Sequence, residues 1–158
     1  MIEKKYIVTD LDLKSKDDVV DFIGKKALEL GITDDANTLI ADIKDRENQF
    51  STDIGFGISI PHTKSVAVKK IAVLFFRYKS NIQWNENSEK RDLVEGNGNE
   101  GVIGSIVFLT PKNNEDNIHL TMLSKISRQL MHKEFLNMLF NEKNSEKIYE
   151  NLKKVIES

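Results

Sequence analysis

Two of the chain's three histidines stand in contexts that favour chemistry, and the first is His62. It follows Pro61 in the glycine-containing run GFGISIPHTK at 55–64. Gly55 and Gly57 allow the backbone to turn sharply or to approach a ligand, and the proline fixes the angle at which the chain enters the histidine. Neutral imidazole supplies a lone pair, and small N–H and O–H donors nearby stabilise phosphoryl oxygens. The pattern predicts either a phosphoryl-accepting histidine or a structural turn beside an incidental one.

His119 is the second candidate, because it lies in the middle of an apolar helical stripe. The stripe consists of Met122, Leu123, Ile126 and Leu130. A polar ring at that position is either a hydrogen-bonded core residue or a functional one. It also lies in the first turn of the predicted helix, where an anion such as phosphate is favoured. The third histidine, His132, sits at a predicted helix junction, where we expect an exposed surface residue.

Other motifs argue against a cofactor or a metal. The run GNGNEG at 96–101 matches the string G-x-G-x-x-G, but a predicted strand follows it where a dinucleotide site needs a helix. We therefore interpret it as a flexible turn. The chain contains no cysteine, which excludes disulfides, thiolate metal sites and a cysteine nucleophile.

Composition indicates a single soluble domain. The chain has 158 residues, of which 39% are hydrophobic and 30% charged, with a net charge of −2. So small a charge gives no reason to expect nucleic-acid binding. The N-terminus resembles no signal peptide, and no stretch approaches the roughly 20 apolar residues of a membrane span. We expect a cytoplasmic protein without direct membrane insertion.

Predicted helices and strands alternate and then give way to a helical tail. The apolar spacing predicts helices at 15–30 and 34–48, and strand formers cluster at 71–78 and 102–110. Beyond residue 115 three further helical stripes follow. The fold class is therefore α/β or α+β. The polar, glycine-bearing region 80–101 is predicted to be a long loop or an irregular hairpin.

Two stretches resemble a known family. RENQFSTDIGFGISIPHTKS at 46–65 is similar to the active-site signature of the fructose/mannitol-type enzyme IIA of the bacterial phosphoenolpyruvate-dependent sugar phosphotransferase system. NIHLTMLSKISRQL at 117–130 resembles the family's second signature, a His-Leu pair that opens a leucine-patterned helix. The resemblance covers nearly the whole chain, so we assign 1–158 to one type-2 EIIA domain.

The resemblance implies a fold, a reaction and three site residues. The fold is a central mixed β-sheet flanked by helices, and no metal or cofactor is implied. His62 becomes the phosphoryl acceptor, His119 orients or stabilises the group, and Arg46, beside Glu47, gives electrostatic support. As a phosphotransferase, the chain would take phosphoryl from the phosphohistidine of a small phosphocarrier protein. It would pass the group to a separate enzyme IIB that works with a membrane enzyme IIC.

Some alternatives stay open at this point. The acceptor in this family is usually a cysteine, which this chain lacks, so the IIB partner is expected to be another chain. A regulatory, nitrogen-type IIA that binds targets according to its phosphorylation state would keep the same histidine. Arg46 could instead be a solvated helix-end residue, because cations are favourable there. Phe56 is either an exposed docking residue or a plug beneath the glycine loop.

Overall fold

The computed structural model describes residues 1–85, 101–114 and 116–158. After a short 3-10 turn at Lys4–Tyr6, the described residues form five strands and five helices. The strands are β1 (Ile7–Leu11), β2 (Ile58–Ser59), β3 (His62–Ser65), β4 (Ala72–Ile82) and β5 (Val102–Pro111). The helices are α1 (Lys16–Glu29), α2 (Ala36–Gln49), α3 (Asp116–Gln129), α4 (Lys133–Asn141) and α5 (Ser145–Glu157).

The strands form one mixed sheet with β4 and β5 at its centre. These two strands are antiparallel, with Ala72 opposite Leu109 and Ile82 opposite Val102. On one side β1 runs parallel to β4. On the other side β2 and β3 both run parallel to β5, one after the other along its length. The chain between β2 and β3 is therefore held at the sheet, and His62 lies at the point where β3 begins.

Alternate side chains of the central strands enter two separate apolar cores. Leu74 and Phe76 of β4 pack with α1 and α2 on one face of the sheet. Val73 and Phe75 pack with α3, α4 and α5 on the other face. A strand covered on both faces reads as a continuous apolar run, which is why the sequence predicted β4 and β5. The predicted mixed sheet flanked by helices is confirmed.

Helix ends follow the residues that predicted them. The Ser15 hydroxyl accepts the Asp18 N–H at the start of α1, and Gly31 follows that helix with a φ of 74°. Asn144 caps α5 through its side chain. Helix α2 begins at Ala36, two residues later than predicted, because Asp35 is its N-cap and accepts the Thr38 N–H.

Three elements differ from the sequence-based expectation, and one of them is strand β3 (His62–Ser65), which was not predicted. Strand β1 was not predicted: it has five residues, a register shift between Val8 and Leu11, and a positive φ of 57° at Asp10. Strand β4 continues to Ile82, beyond the predicted end at residue 78. The rest of the predicted loop falls largely outside the described residues, as does most of the GNGNEG run. None of the helices in the described ranges is long and apolar enough to cross a membrane.

Candidate functional site

A small hairpin carries the chain to His62. The Ile60 N–H donates to the Thr52 carbonyl at 2.9 Å, and the Ile54 N–H donates to the Ile58 carbonyl at 3.3 Å. The turn between the two arms contains Gly55 and Gly57, with φ values of 93° and 80°. Residues with a Cβ rarely adopt such positive φ values, so the turn requires glycine at both positions. Their predicted role in turning the chain sharply is confirmed.

His62 is buried, with 8% of its surface exposed, and it pairs with Phe108 of β5. The run ISI at 58–60 predicts a short strand that Pro61 ends, which would place His62 at a strand end. In the structure β2 ends at Ser59, and His62 is the first residue of β3. Its Nδ1 lies 2.7 Å from the Ile60 carbonyl oxygen. A carbonyl oxygen can only accept, so Nδ1 carries the hydrogen, and in the neutral ring Nε2 carries the lone pair.

His119 faces His62 from the start of α3. The two ring centroids are 5.6 Å apart, and the ring planes are inclined at 52°. The His119 ring stacks on Phe108 with a centroid distance of 5.0 Å, and its Nδ1 lies 2.9 Å from the Thr110 hydroxyl. This half-buried ring is therefore hydrogen bonded, which is one of the two alternatives that the sequence left open, and it lies next to His62. Its part in phosphoryl transfer stays a prediction.

Arg46 lies both at the end of helix α2 and at the cleft that contains His62, the two locations between which the sequence did not decide. One guanidinium N–H donates to the Phe50 carbonyl at 3.1 Å, just beyond the C-terminal end of α2, as expected of a helix-end cation. The same side chain lines a cleft that contains His62 and His119. A cation in that position can bind phosphoryl oxygens without giving up its place at the helix end.

The surroundings of His62 favour its neutral form. Burial is the main influence and lowers the pKa of His62 below its ordinary value of 6.5. The hydrogen bond to Ile60 and the charge of Glu47 oppose that shift, whereas the charge of Arg46 adds to it. The net lowering of the pKa keeps the ring uncharged, and so nucleophilic, at neutral pH.

The cleft around these residues has a volume of about 410 Å³. Its lining includes the charged residues Asp42, Asp45, Lys64 and Lys112. The Ser65 hydroxyl donates to the Asp42 carboxylate at 2.5 Å and ties β3 to α2. Neither Thr110 nor Asp42 was predicted as part of the site, because only the packing of β5 and α2 brings them there. Within the described ranges no group of three potential metal-ligating side chains is arranged to hold a metal ion.

The structure places Phe56 against the expectation of an exposed docking residue. Its ring is half-buried and packs against the core between the sheet and α3–α5, which is the plug alternative. The exposed aromatic residue near the cleft is Phe50, with 76% of its surface accessible. The third histidine, His132, is exposed at the start of α4, as predicted.

Solved structures of IIA proteins share this architecture. The nitrogen regulatory protein IIA-Ntr from Neisseria meningitidis aligns with a TM-score of 0.79 at 22% identity, covering 98% of this chain and 95% of that one. The complex of enzyme IIAMTL with phosphorylated enzyme IIBMTL from Escherichia coli aligns with a TM-score of 0.74 at 16% identity, covering 98% and 99%. The described strands and helices therefore have the fold of these IIA proteins.

Sequence comparison identifies the family. The model of the phosphoenolpyruvate-dependent sugar phosphotransferase system EIIA 2 family matches residues 1–155, and the chain belongs to that family. It is 28% identical over 143 residues to the fructose-specific EIIA component of Haloferax volcanii, covering 90% of this chain and 86% of the relative. Longer relatives named multiphosphoryl transfer proteins are matched over 16% of their own length.

Proposed function

We propose that this chain is a phosphocarrier in which His62 accepts a phosphoryl group from a phosphohistidine protein and passes it to a separate enzyme IIB. One observation carries the proposal. The Ile60 carbonyl fixes the hydrogen on Nδ1 of a buried, neutral imidazole. The lone pair is thereby left on Nε2, in a cleft that also holds a second imidazole and a guanidinium.

The chemical step is a displacement at phosphorus. The Nε2 lone pair of His62 attacks, a new N–P bond forms, and the P–N bond to the donor's imidazole breaks. Its electron pair returns to the donor ring, which leaves as a neutral imidazole because its other nitrogen carries a hydrogen. Since His62 is neutral before the step, it loses no proton, and its Nδ1–H remains bonded to the carbonyl. A high-energy phosphoramidate is thereby exchanged for an equivalent one, so the step is close to reversible.

Charge around His62 supports this step. The transferring group spreads negative charge over its three outer oxygens, and pre-placed donors stabilise it. Arg46 supplies a planar fork that matches two of these oxygens. His119 supplies the second ring, whose Nε2 is the nitrogen not engaged by Thr110. Lys64 and Lys112 add positive charge at the cleft.

Transfer onward requires a nucleophile on another protein. A IIA protein of the same fold was solved together with its phosphorylated IIB. The family resemblance implies that a IIB of this type usually accepts on a cysteine. This chain has no cysteine, so the acceptor thiolate must come from the partner. In that step the thiolate sulfur bonds to phosphorus, and the N–P bond breaks with its electron pair returning to Nε2. The membrane enzyme IIC would then couple the group to sugar uptake.

Both partners must reach the same nitrogen, so they must use one surface in turn. Three exposed apolar residues border the site: Phe50, Val66 and Leu120, exposed by 76%, 73% and 64%. We call them the apolar rim. Phe50 follows α2 beside Arg46, Val66 lines the cleft, and Leu120 follows His119. A carrier must release each partner, so we expect interfaces below about 1,200 Å² in total, as in transient complexes.

Labelling and transfer test the proposal. The chain is incubated with labelled phosphoenolpyruvate and the two upstream carrier proteins, then with a purified fructose-type enzyme IIB. We expect acid-labile, base-stable label on wild type and on the control His132→Ala, none on His62→Ala, and movement of the label to the IIB. Label on His62→Ala would refute the assignment. Labelling without transfer to any sugar IIB would favour the regulatory alternative.

A further inference from the structure

A buried carboxylate lies between helix α2 and the hairpin that carries His62. Glu47, in the last turn of α2, is only 7% exposed. Its Oε2 accepts the Thr52 N–H at 2.8 Å, and its Oε1 accepts the Thr52 hydroxyl at 2.6 Å. The Trp84 indole N–H donates to Oε2 at 3.0 Å. Three neutral donors therefore hold a charge that would be costly to bury without them.

This carboxylate connects to His62 through a short chain of backbone bonds. Thr52, held at both its N–H and its hydroxyl, offers its own carbonyl to the Ile60 N–H at 2.9 Å. The Ile60 carbonyl then accepts from His62 Nδ1 at 2.7 Å. Each link is buried or nearly so: Thr52 is 4% exposed and Ile60 is 4% exposed. Moving Thr52 would therefore move the carbonyl that decides which nitrogen of His62 carries the hydrogen.

We infer that Glu47 is a positioning residue for His62: through Thr52 and the hairpin it holds the Ile60 carbonyl that fixes the ring as its Nδ1–H tautomer. The consequence for phosphoryl transfer rests on the proposed function of His62, but the tautomer itself does not. A histidine without such a fixed acceptor exchanges between tautomers, and only the one with a free Nε2 lone pair is nucleophilic at that atom.

Trp84, just beyond the end of β4, binds the same Glu47 carboxylate. The indole is 2% exposed and is the only tryptophan in the chain. Its neighbour Asn85 is hydrogen bonded to Ser51, next to Thr52. The residues just after β4 are therefore attached both to Glu47 of α2 and to Ser51 beside the hairpin. Because Trp84 is unique, its fluorescence reports directly on whether its contact with Glu47 is intact in a variant.

The test measures the His62 ring nitrogens by ¹⁵N NMR in the full-length chain, where only three histidines need assignment. The informative variants are Thr52→Val, which removes one donor but keeps the charge of Glu47, and Glu47→Gln. Thr52→Ser keeps the hydroxyl and serves as the rescue. Thr33→Val is the matched control, because it removes another buried hydroxyl, one that accepts the Asp35 N–H at the opposite end of α2.

We expect wild type, Thr52→Ser and Thr33→Val to show a single Nδ1–H tautomer. Thr52→Val and Glu47→Gln should show averaged shifts, and each should slow labelling of His62 by about tenfold, the size of one lost hydrogen bond. The shift change and slower labelling should appear at full folding, judged by far-UV circular dichroism, while Trp84 fluorescence follows only the contact with Glu47.

Two results would overturn the inference. One is an unchanged Nδ1–H tautomer in both Thr52→Val and Glu47→Gln. The other is an effect of Glu47→Gln without any effect of Thr52→Val, because Glu47 would then act through its charge rather than through the hairpin. If wild type is not labelled at all, the proposed function fails, while the NMR comparison still decides the role of Glu47.

Discussion

Two clefts of this molecule each contain a histidine, and they differ in how the ring is held. The larger, at about 670 Å³, lies among α3, α4 and α5 and includes His132. That histidine is exposed at the N-cap of α4, where its side chain makes no capping hydrogen bond. The smaller, at about 410 Å³, contains His62, buried and bonded to a backbone carbonyl, with His119 and Arg46 beside it.

The comparison shows that volume alone does not define a site in this fold. What distinguishes the His62 cleft is a buried ring whose Nδ1 is bonded to a backbone carbonyl, with a second imidazole and a guanidinium in the same cleft. Preorganisation of this kind lowers the cost of reaching a charged transition state, because nothing has to be reoriented during the reaction. The differences between the clefts can be tested one group at a time.

The largest expected effect comes from removing the second ring. His119→Ala should still become labelled on His62 but should pass the group to enzyme IIB about a hundredfold more slowly, as when one charge-stabilising donor is lost. Rapid-quench measurement of both half-reactions gives the two rates. Onward transfer at the wild-type rate would show that His119 only fills space against Phe108.

A smaller effect is expected from changing the cation. Arg46→Lys keeps the positive charge but loses the planar fork, so labelling should slow by about tenfold at unchanged stability. The matched control is Arg128→Lys, since Arg128 is exposed on α3 and donates to Ser124. If both variants react like wild type, Arg46 acts only at the end of α2.

Substituting a residue of the apolar rim should weaken partner binding without changing the rate of the phosphoryl-transfer step. Phe50→Ser should weaken the complexes with donor and acceptor by about fivefold each, the usual size for one truncated interface residue. Met131→Ser removes an apolar side chain of comparable exposure, 68% accessible, next to the His132 cleft, and should change neither affinity. Titration calorimetry measures all four complexes. Loss of only one partner would contradict a shared surface.

The smallest expected effect is on how the free energy of unfolding depends on pH. Burial lowers the pKa of His62 in the folded state, so below pH 6.5 the unfolded chain binds a proton that the folded chain resists. His62 therefore makes wild type lose stability as the pH falls from 6.5. His62→Gln should lose less over the same range in urea titrations. An identical loss in both proteins would contradict the burial argument.

Periodic patterns made most of the fold predictable. Strands β4 and β5 are apolar on both faces, and the apolar residues of each helix recur once per helical turn. Each of these elements could therefore be identified from its own local sequence. Strand β1 could not, because it is short, half-buried and interrupted at Asp10. Its place beside β4 depends on pairing between distant segments, which local sequence does not encode.

The sequence indicated which histidines belong to the candidate site, but it did not indicate which residues they contact. Pro61 and the glycines indicated His62, and the apolar stripe indicated His119. The Thr110 hydroxyl meets His119 only because β5 ends beside the start of α3. Trp84 reaches Glu47 across 37 positions of sequence, a contact that depends on how the end of β4 packs against α2. Sequence alone left Phe56 as either an exposed residue or a plug, and only the packing shows that it is half-buried while Phe50 is exposed.

Identifying the phosphorylated atom tests the proposed role of His62 most directly. The chain is labelled with ¹⁵N in its histidine rings, phosphorylated by the upstream carriers, and examined by NMR for the ring nitrogen coupled to phosphorus. We predict one phosphoryl group, on Nε2 of His62, with the hydrogen still on Nδ1. A phosphoryl group on Nδ1 of His62, or on either His119 or His132, would contradict the account.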